Sequence, residues 1–155
     1  MPFHPSTLTR LQTQHHALDE LLKSAQHIAD IEPEPGKWSI RQQVAHLGRY
    51  QEIFQARLKG ILDEHNPALD LYFAETDNGF VAWEEASLAD ILQRLHIKRD
   101  LLIRQLTGLG LSEQARTGKH PVYGPLDIPA WTEFFVLHEA HHLLSIFKLV
   151  HSLSG

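Results

Sequence analysis

Cysteine is absent from this chain of 155 residues, and that absence removes disulfides, thiolate metal ligands and a cysteine nucleophile together. Any metal site must therefore use histidine nitrogen and oxygen ligands. Long apolar runs are missing too. No stretch approaches the roughly 18–20 residues that a membrane span needs, and the start MPFHPSTLTR has no apolar segment of signal-peptide length. These absences lead to the expectation of a cytoplasmic protein without membrane contact. Positive charge is scarce: 14 Lys and Arg stand against 19 Asp and Glu, a net charge of −5 with no basic cluster. Phosphate neutralisation, and with it nucleic-acid binding, has no support.

What the chain has in abundance is histidine, 12 residues of it. The rest is ordinary for a soluble globular protein, with 43% hydrophobic and 21% charged residues. The length suits one domain covering residues 1–155.

Periodicity predicts an all-α protein of four helices. Ser6 is positioned to cap a first helix whose apolar residues Leu8, Leu11, Leu18, Leu22, Ala25 and Ala29 step by three and four, with His15 in the same stripe. EPEPGKW breaks the pattern. Ser39 and Gln42 then form a capping box for a second helix carrying Ile40, Val44, Leu47, Phe54, Leu58 and Ile61, with His46 at the flank of that stripe beside Tyr50. Residues 63–86 have no sustained period. They read as a long connection with a short helical piece, used as a crossover or as a cover over a site. Ser87 and Asp90 start the third helix, which carries Arg99 in its apolar stripe. A loop over 111–126 follows, and Asp127 with Pro129 opens a fourth helix reaching about Leu153. The fourth helix has a second apolar side of Val136, Leu143, Phe147 and Val150, which points to a homodimer contact.

That helix contains HEAHH, residues 138–142. His138 and His142 are four apart, so their imidazoles share one helical face, where they can bind a single ion. The face is apolar, formed by Trp131, Phe134, Phe135, Ile146 and Leu149. Two readings stand here: core histidines each satisfied by a backbone carbonyl, or two thirds of a metal site. A third histidine from another helix would complete a catalytic-type site with a position left for water or substrate. His46 is the first choice and His15 the second. His141 projects about 100° away from His142 and is read as a bystander. The same letters fit HExxH, in which Glu139 would be a protease's general base, but no acid follows His142 and Lys148 stands where one protease class has its third histidine.

The stretches WSIRQQVAHL, HPVYGPL and HEAHHLLSIF, in this order and with these gaps, resemble the DinB/YfiT-like family of four-helix bundles over most of the chain. The resemblance implies an up-down-down-up bundle with a long crossover connection, frequent homodimers, and nickel or zinc held by one histidine of the second helix and an H-x-x-x-H pair of the fourth. Those correspond here to His46, His138 and His142. Characterised relatives are similar to S-transferases that use bacillithiol or mycothiol, or to a maleylpyruvate isomerase. Where many members have glutamine three residues after the last histidine, this chain has Ser145.

Three neutral imidazoles would leave a divalent ion its full charge and so acidify water or a thiol toward neutrality. With no cysteine in the chain, thiol chemistry would need an external low-molecular-weight thiol. The functional expectation is a metal-dependent S-transferase or hydrolase acting on a small-molecule substrate; the competing class is a non-catalytic metal-binding or dimerising bundle. Arg99 is read either as a binder of a substrate carboxylate or as half of a buried ion pair. Tyr50 is read as a core tyrosine or a hydrogen-bond donor to a ligand, and His120 as a solvated loop residue or one at the site mouth. Trp38, Trp83 and Trp131 are read as core anchors, with Trp131 alone near the pocket.

Overall fold

The computed structural model describes residues 2–154. Its elements are α1 (Pro5–Thr13), α2 (Ala17–Leu21), α3 (Ile40–Asp63), α4 (Asn78–Glu84), α5 (Leu88–Thr107), α6 (Leu111–Gln114), β1 (Thr117–His120), β2 (Gly124–Asp127) and α7 (Ile128–Leu153). Among the described residues, no helix is long and apolar enough to cross a membrane.

The boundaries of the long helices follow local chemistry. Ser39 accepts from the Gln42 N–H at 3.2 Å while the Gln42 side chain accepts from the Ser39 N–H at 2.9 Å. Ser87 and Asp127 cap α5 and α7 through the N–H groups of Asp90 and Ala130. The first helix departs from expectation twice. Its cap is His4, whose Nδ1 accepts from the Ser6 N–H at 3.1 Å, because Pro5 occupies the first helical position and moves the cap before it. The predicted single helix is also broken into α1 and α2 by a 3-10 turn over Gln14–His16. Thr13 bonds back to the Thr9 carbonyl and its own φ of −125° leaves the helical range.

The core consists of two apolar clusters. One gathers Leu18 and Leu22, Val44 and Leu47, Ile91 and Leu95, and Leu143 and Ile146. The other gathers Leu11, Phe54 and Leu58, Leu102 and Leu106, and Phe135 and Val136. Sequence order within the clusters sets the helix directions: α3 and α5 run parallel, while α1–α2 and α7 run against them. This is the up-down-down-up bundle. Parallel neighbours cannot be joined by a tight turn, which is why residues 64–87 form a crossover along the bundle.

Between the clusters lies a buried polar layer with one residue from each helical segment: His15, Gln51, Arg99 and Glu139, all at most 1% exposed. Arg99 pairs with Glu139 through both guanidinium amines, Nη1 donating to Oε2 at 3.1 Å. The Gln14 and Gln51 side chains add bonds to Glu139 at 3.0 and 3.4 Å.

The crossover is fastened at two places. α4 packs on α3, with the Trp83 ring lying on Gly48 so closely that an added Cβ would overlap it. Gly48→Ala should therefore destabilise the fold by about 1–3 kcal/mol, read as a lower urea midpoint; an unchanged midpoint would mean that α4 does not sit there. At the other place, the Leu69 N–H donates to Lys119 O at 3.0 Å and the Lys119 N–H to Pro67 O at 2.8 Å, tying the crossover to β1.

The 111–126 segment, expected to be a loop, contains α6 and most of an antiparallel hairpin in which Thr117 faces Asp127 and His120 faces Gly124. Its four-residue strands, TGKH and GPLD, hold a single β-branched residue, Thr117, beside two glycines and a proline, so they carry little strand signal. The second apolar side of α7 is divided: Val136 and Leu143 are buried, whereas Phe147 is 48% exposed.

Candidate metal centre

His46 comes from the flank of α3, and His138 and His142 from one face of α7, the helix that runs antiparallel beside it. The structure brings these three together, with a nitrogen from each inside a 4.8 Å group. His46 Nε2 and His138 Nε2 are 3.3 Å apart. At this distance two neutral imidazoles either share one proton in an N–H···N hydrogen bond or hold one cation between their lone pairs. Nitrogens bound tetrahedrally to zinc at 2.0–2.1 Å sit about 3.3–3.4 Å from each other, by the geometry of that coordination. The spacing observed fits such an ion.

Each ring has a defined setting. His142 Nδ1 is 2.7 Å from Gln43 Oε1, an acceptor that fixes the proton on Nδ1 and leaves Nε2 free to ligate. His46 lies against Trp38, Tyr72 and Phe80, and the His138 ring is 4.0 Å from that of Tyr50. Burial, followed by the neighbouring His142 and His138, pushes His46 down to about 3. Burial, then His142, His141 and Arg57, takes His138 to about 3, and burial with His141 takes His142 to about 4. All three are thus neutral near pH 7, the form that binds metal.

These shifts carry a stability consequence. In the unfolded chain the same groups titrate near 6.5, so between that value and their folded values the unfolded state binds more protons. The metal-free protein should keep its full stability above about pH 6.5 and lose it progressively on acidification, by up to about 1.4 kcal/mol per pH unit for each group. Urea midpoints at pH 7.5 and 5 measure this. Equal midpoints would contradict the burial of neutral imidazoles.

The three histidines form part of the wall of an open cavity of about 380 Å³. Trp38, Tyr50, Arg57, Tyr72, His120 and Phe134 also line it, and the crossover residues Leu71–Glu75 contribute to its wall. Tyr72 is held by its hydroxyl, which donates to Asp77 Oδ2 at 2.7 Å, and Asp77 in turn pairs with Arg49 at 2.7 Å and caps α4. His120 Nδ1 accepts from the N–H groups of Val122 and Tyr123, which leaves the ring proton on Nε2.

Several single-residue expectations are resolved by this geometry. His15, the second choice for third ligand, lies elsewhere, beside His16 and His96. Glu139 is held by Arg99 away from the cavity, so the HExxH letters place no base there, and Arg99 is half of a buried pair and does not line the cavity. Trp131 does not line the cavity; its indole donates to Gly118 O at 3.1 Å, and Trp38 is the tryptophan at the wall. His120 is buried on β1 and not a solvated loop residue. Contributors missed in the sequence include Gln43, Arg57 and Tyr72. Gln43 could have been found, since it precedes His46 by about one helical turn. Arg57 could not, because it reaches the cavity from what reads as the polar flank of α3; there it donates to the Tyr50 hydroxyl at 2.9 Å and to Asp70 O at 3.0 Å.

Fold and site together define a helical bundle with parallel central helices and a three-histidine cluster opening on a cavity. A family model described as the DinB superfamily matches residues 10–146, and the chain belongs to that superfamily. Its structure resembles that of YfiT from Bacillus subtilis, described as "a probable metal-dependent hydrolase with an unusual four-helix bundle topology", with a TM-score of 0.78 at 22% identity, covering 96% of this chain and 86% of YfiT. In sequence it is 29% identical over 117 residues to a "Putative metal-dependent hydrolase" of Oceanobacillus iheyensis. That match takes in 74% of this chain and 66% of the relative's own length.

Proposed function

We propose that the chain is a metal-dependent hydrolase of small molecules, with His46, His138 and His142 holding one zinc or nickel ion. The observation that carries this reading is the convergence of three neutral imidazoles on the wall of an open cavity, two of them at the spacing of a tetrahedral edge. The names borne by the two similar proteins support it. A divalent ion in that position would supply Lewis acidity, lowering the pKa of water or a thiol and polarising a substrate oxygen.

The chain's own residues supply the rest. Gln43 orients His142. Arg57, half-buried and without a carboxylate partner among the described ion pairs, binds an anionic group of the substrate. His120, protonated at Nε2, donates to a substrate oxygen. Leu71 and Phe73, 48% and 59% exposed, present apolar surface at the crossover side of the cavity and favour a substrate with an apolar part.

A second reading is S-transfer with an external thiol such as bacillithiol or mycothiol. It is supported by the uncompensated charge that three imidazoles leave on an ion, which suits a thiolate, and by Arg57 as a site for the thiol's anionic group. Zinc-loaded and nickel-loaded protein, assayed with carboxylate-bearing esters and amides with and without each thiol, separates the two. Hydrolysis that needs metal but no thiol supports the first reading, and turnover only with thiol replaces it by the second. No turnover in either arm moves the chain to the non-catalytic class. We also propose a homodimer, because Leu137, Leu144 and Phe147 leave about half of each side chain exposed on one side of α7. Sedimentation showing a monomer at micromolar concentration would contradict it.

A further inference from the structure

A second histidine cluster lies on another part of the bundle. His15 and His16 come from the 3-10 turn between α1 and α2, and His96 from α5; a nitrogen from each lies inside a 4.8 Å group. Their ring centroids are 4.1, 5.3 and 5.8 Å apart. His15 and His16 are consecutive in the 3-10 turn that follows Thr13, and both rings reach that of His96 on α5.

The protonation pattern prepares the cluster for a cation. Asp19 Oδ1 is 2.9 Å from His96 Nε2. A carboxylate there holds the proton on Nε2 and leaves Nδ1 with its lone pair, the arrangement by which carboxylates orient metal-ligating imidazoles. His96 Nδ1 is buried and has no hydrogen-bond partner. His15 is 1% exposed and its Nδ1 is likewise buried without a partner. An unpartnered nitrogen in a histidine so fully enclosed is costly unless something binds it. His16 is exposed and gives an ion access from solvent.

Charge at the cluster is mixed: Arg99 disfavours a cation beside His15, and Asp19 favours one. Arg99 is itself paired with Glu139, and Asp19 adds a negative charge behind His96. Burial, with Arg99 second, also holds His15 down at about 3, so its ring is neutral.

We propose that His15, His16 and His96, with Asp19 behind His96, form a second site for a divalent transition metal, independent of the His46–His138–His142 centre. Imidazole ligands select the zinc, nickel and copper group over calcium or magnesium. The bound ion clips the broken first helix to α5, and so stabilises the fold at a place where its backbone hydrogen bonding is interrupted.

Zinc alone is the probe. Metal-stripped full-length protein, equilibrated with micromolar zinc and assayed by elemental analysis and calorimetric titration, should bind two ions per chain. The His16→Ala/His96→Ala variant and the His138→Ala/His142→Ala variant should each bind one. Zinc should still raise the melting temperature of the second variant. His16→Ala alone removes an exposed ring, leaves the core untouched, and should weaken one of the two binding steps at least tenfold. One ion per wild-type chain that is lost in the His138→Ala/His142→Ala variant overturns the proposal, as does a His16→Ala protein whose zinc binding is unchanged. One ion per wild-type chain that is instead lost in the His16→Ala/His96→Ala variant would count only against the proposed function.

Discussion

Glu139→Ala should cost about 3–5 kcal/mol of stability, because it leaves the Arg99 guanidinium charged, enclosed and unpaired. Arg99 is fully buried and its Nε already lacks a partner, so no rearrangement of its own side chain reaches water. Gln14 and Gln51 would also lose their acceptor. The double variant Arg99→Met/Glu139→Leu should lose much less than either single change, since both charges leave together and the two apolar clusters can merge. Denaturant titration of the two singles and the double decides this. Additive losses would mean that the pair is not coupled as described.

The second large effect concerns the cluster on the cavity wall. Replacing His46, His138 or His142 by alanine removes one of the three proposed ligands, and metal affinity at that centre should fall by more than the roughly 10–100-fold that loss of an outer partner produces. Gln43→Ala is the internal control. It removes only the acceptor that orients His142, and its loss should stay within that range. Any metal-dependent turnover should disappear with the ligand variants and persist, reduced, in Gln43→Ala. Metal retained at this centre after His46→Ala would contradict a three-histidine site.

The fold was largely legible because its long helices announce where they begin: Ser39 with Gln42, Ser87, and Asp127 with Pro129 mark the starts of α3, α5 and α7. The absence of a period over residues 63–86 also carried information, since it correctly required a connection running along the bundle. What the sequence hid depends on tertiary context. The break after Thr13 leaves the three-and-four spacing of Leu11 and Leu18 undisturbed, so periodicity runs through it unseen. The β1–β2 hairpin has too few β-forming residues to register, and it is steadied by Pro67 and Leu69 across the crossover.

The cluster itself was half legible. His138 and His142 share a helical face by spacing alone, but choosing His46 over His15 depended on which helix edges meet. The polar layer explains the ambiguity: His15 belongs to the level of Gln51, Arg99 and Glu139, and its ring faces α5 instead of the cavity. Arg99 and Glu139 were each noticed in the sequence, yet nothing short of packing reveals that they answer one another. Arg57 was silent for the opposite reason, since an arginine on a polar flank looks solvated until the crossover closes over it.

The most direct measurement is diffraction from crystals of the metal-stripped protein soaked in zinc, with anomalous difference maps calculated from data collected on either side of the zinc absorption edge. The account predicts an edge-dependent peak bounded by His46, His138 and His142, at about 2.0–2.1 Å from each ligating nitrogen. A map with no peak there, while zinc occupies other sites on the same chain, would contradict it.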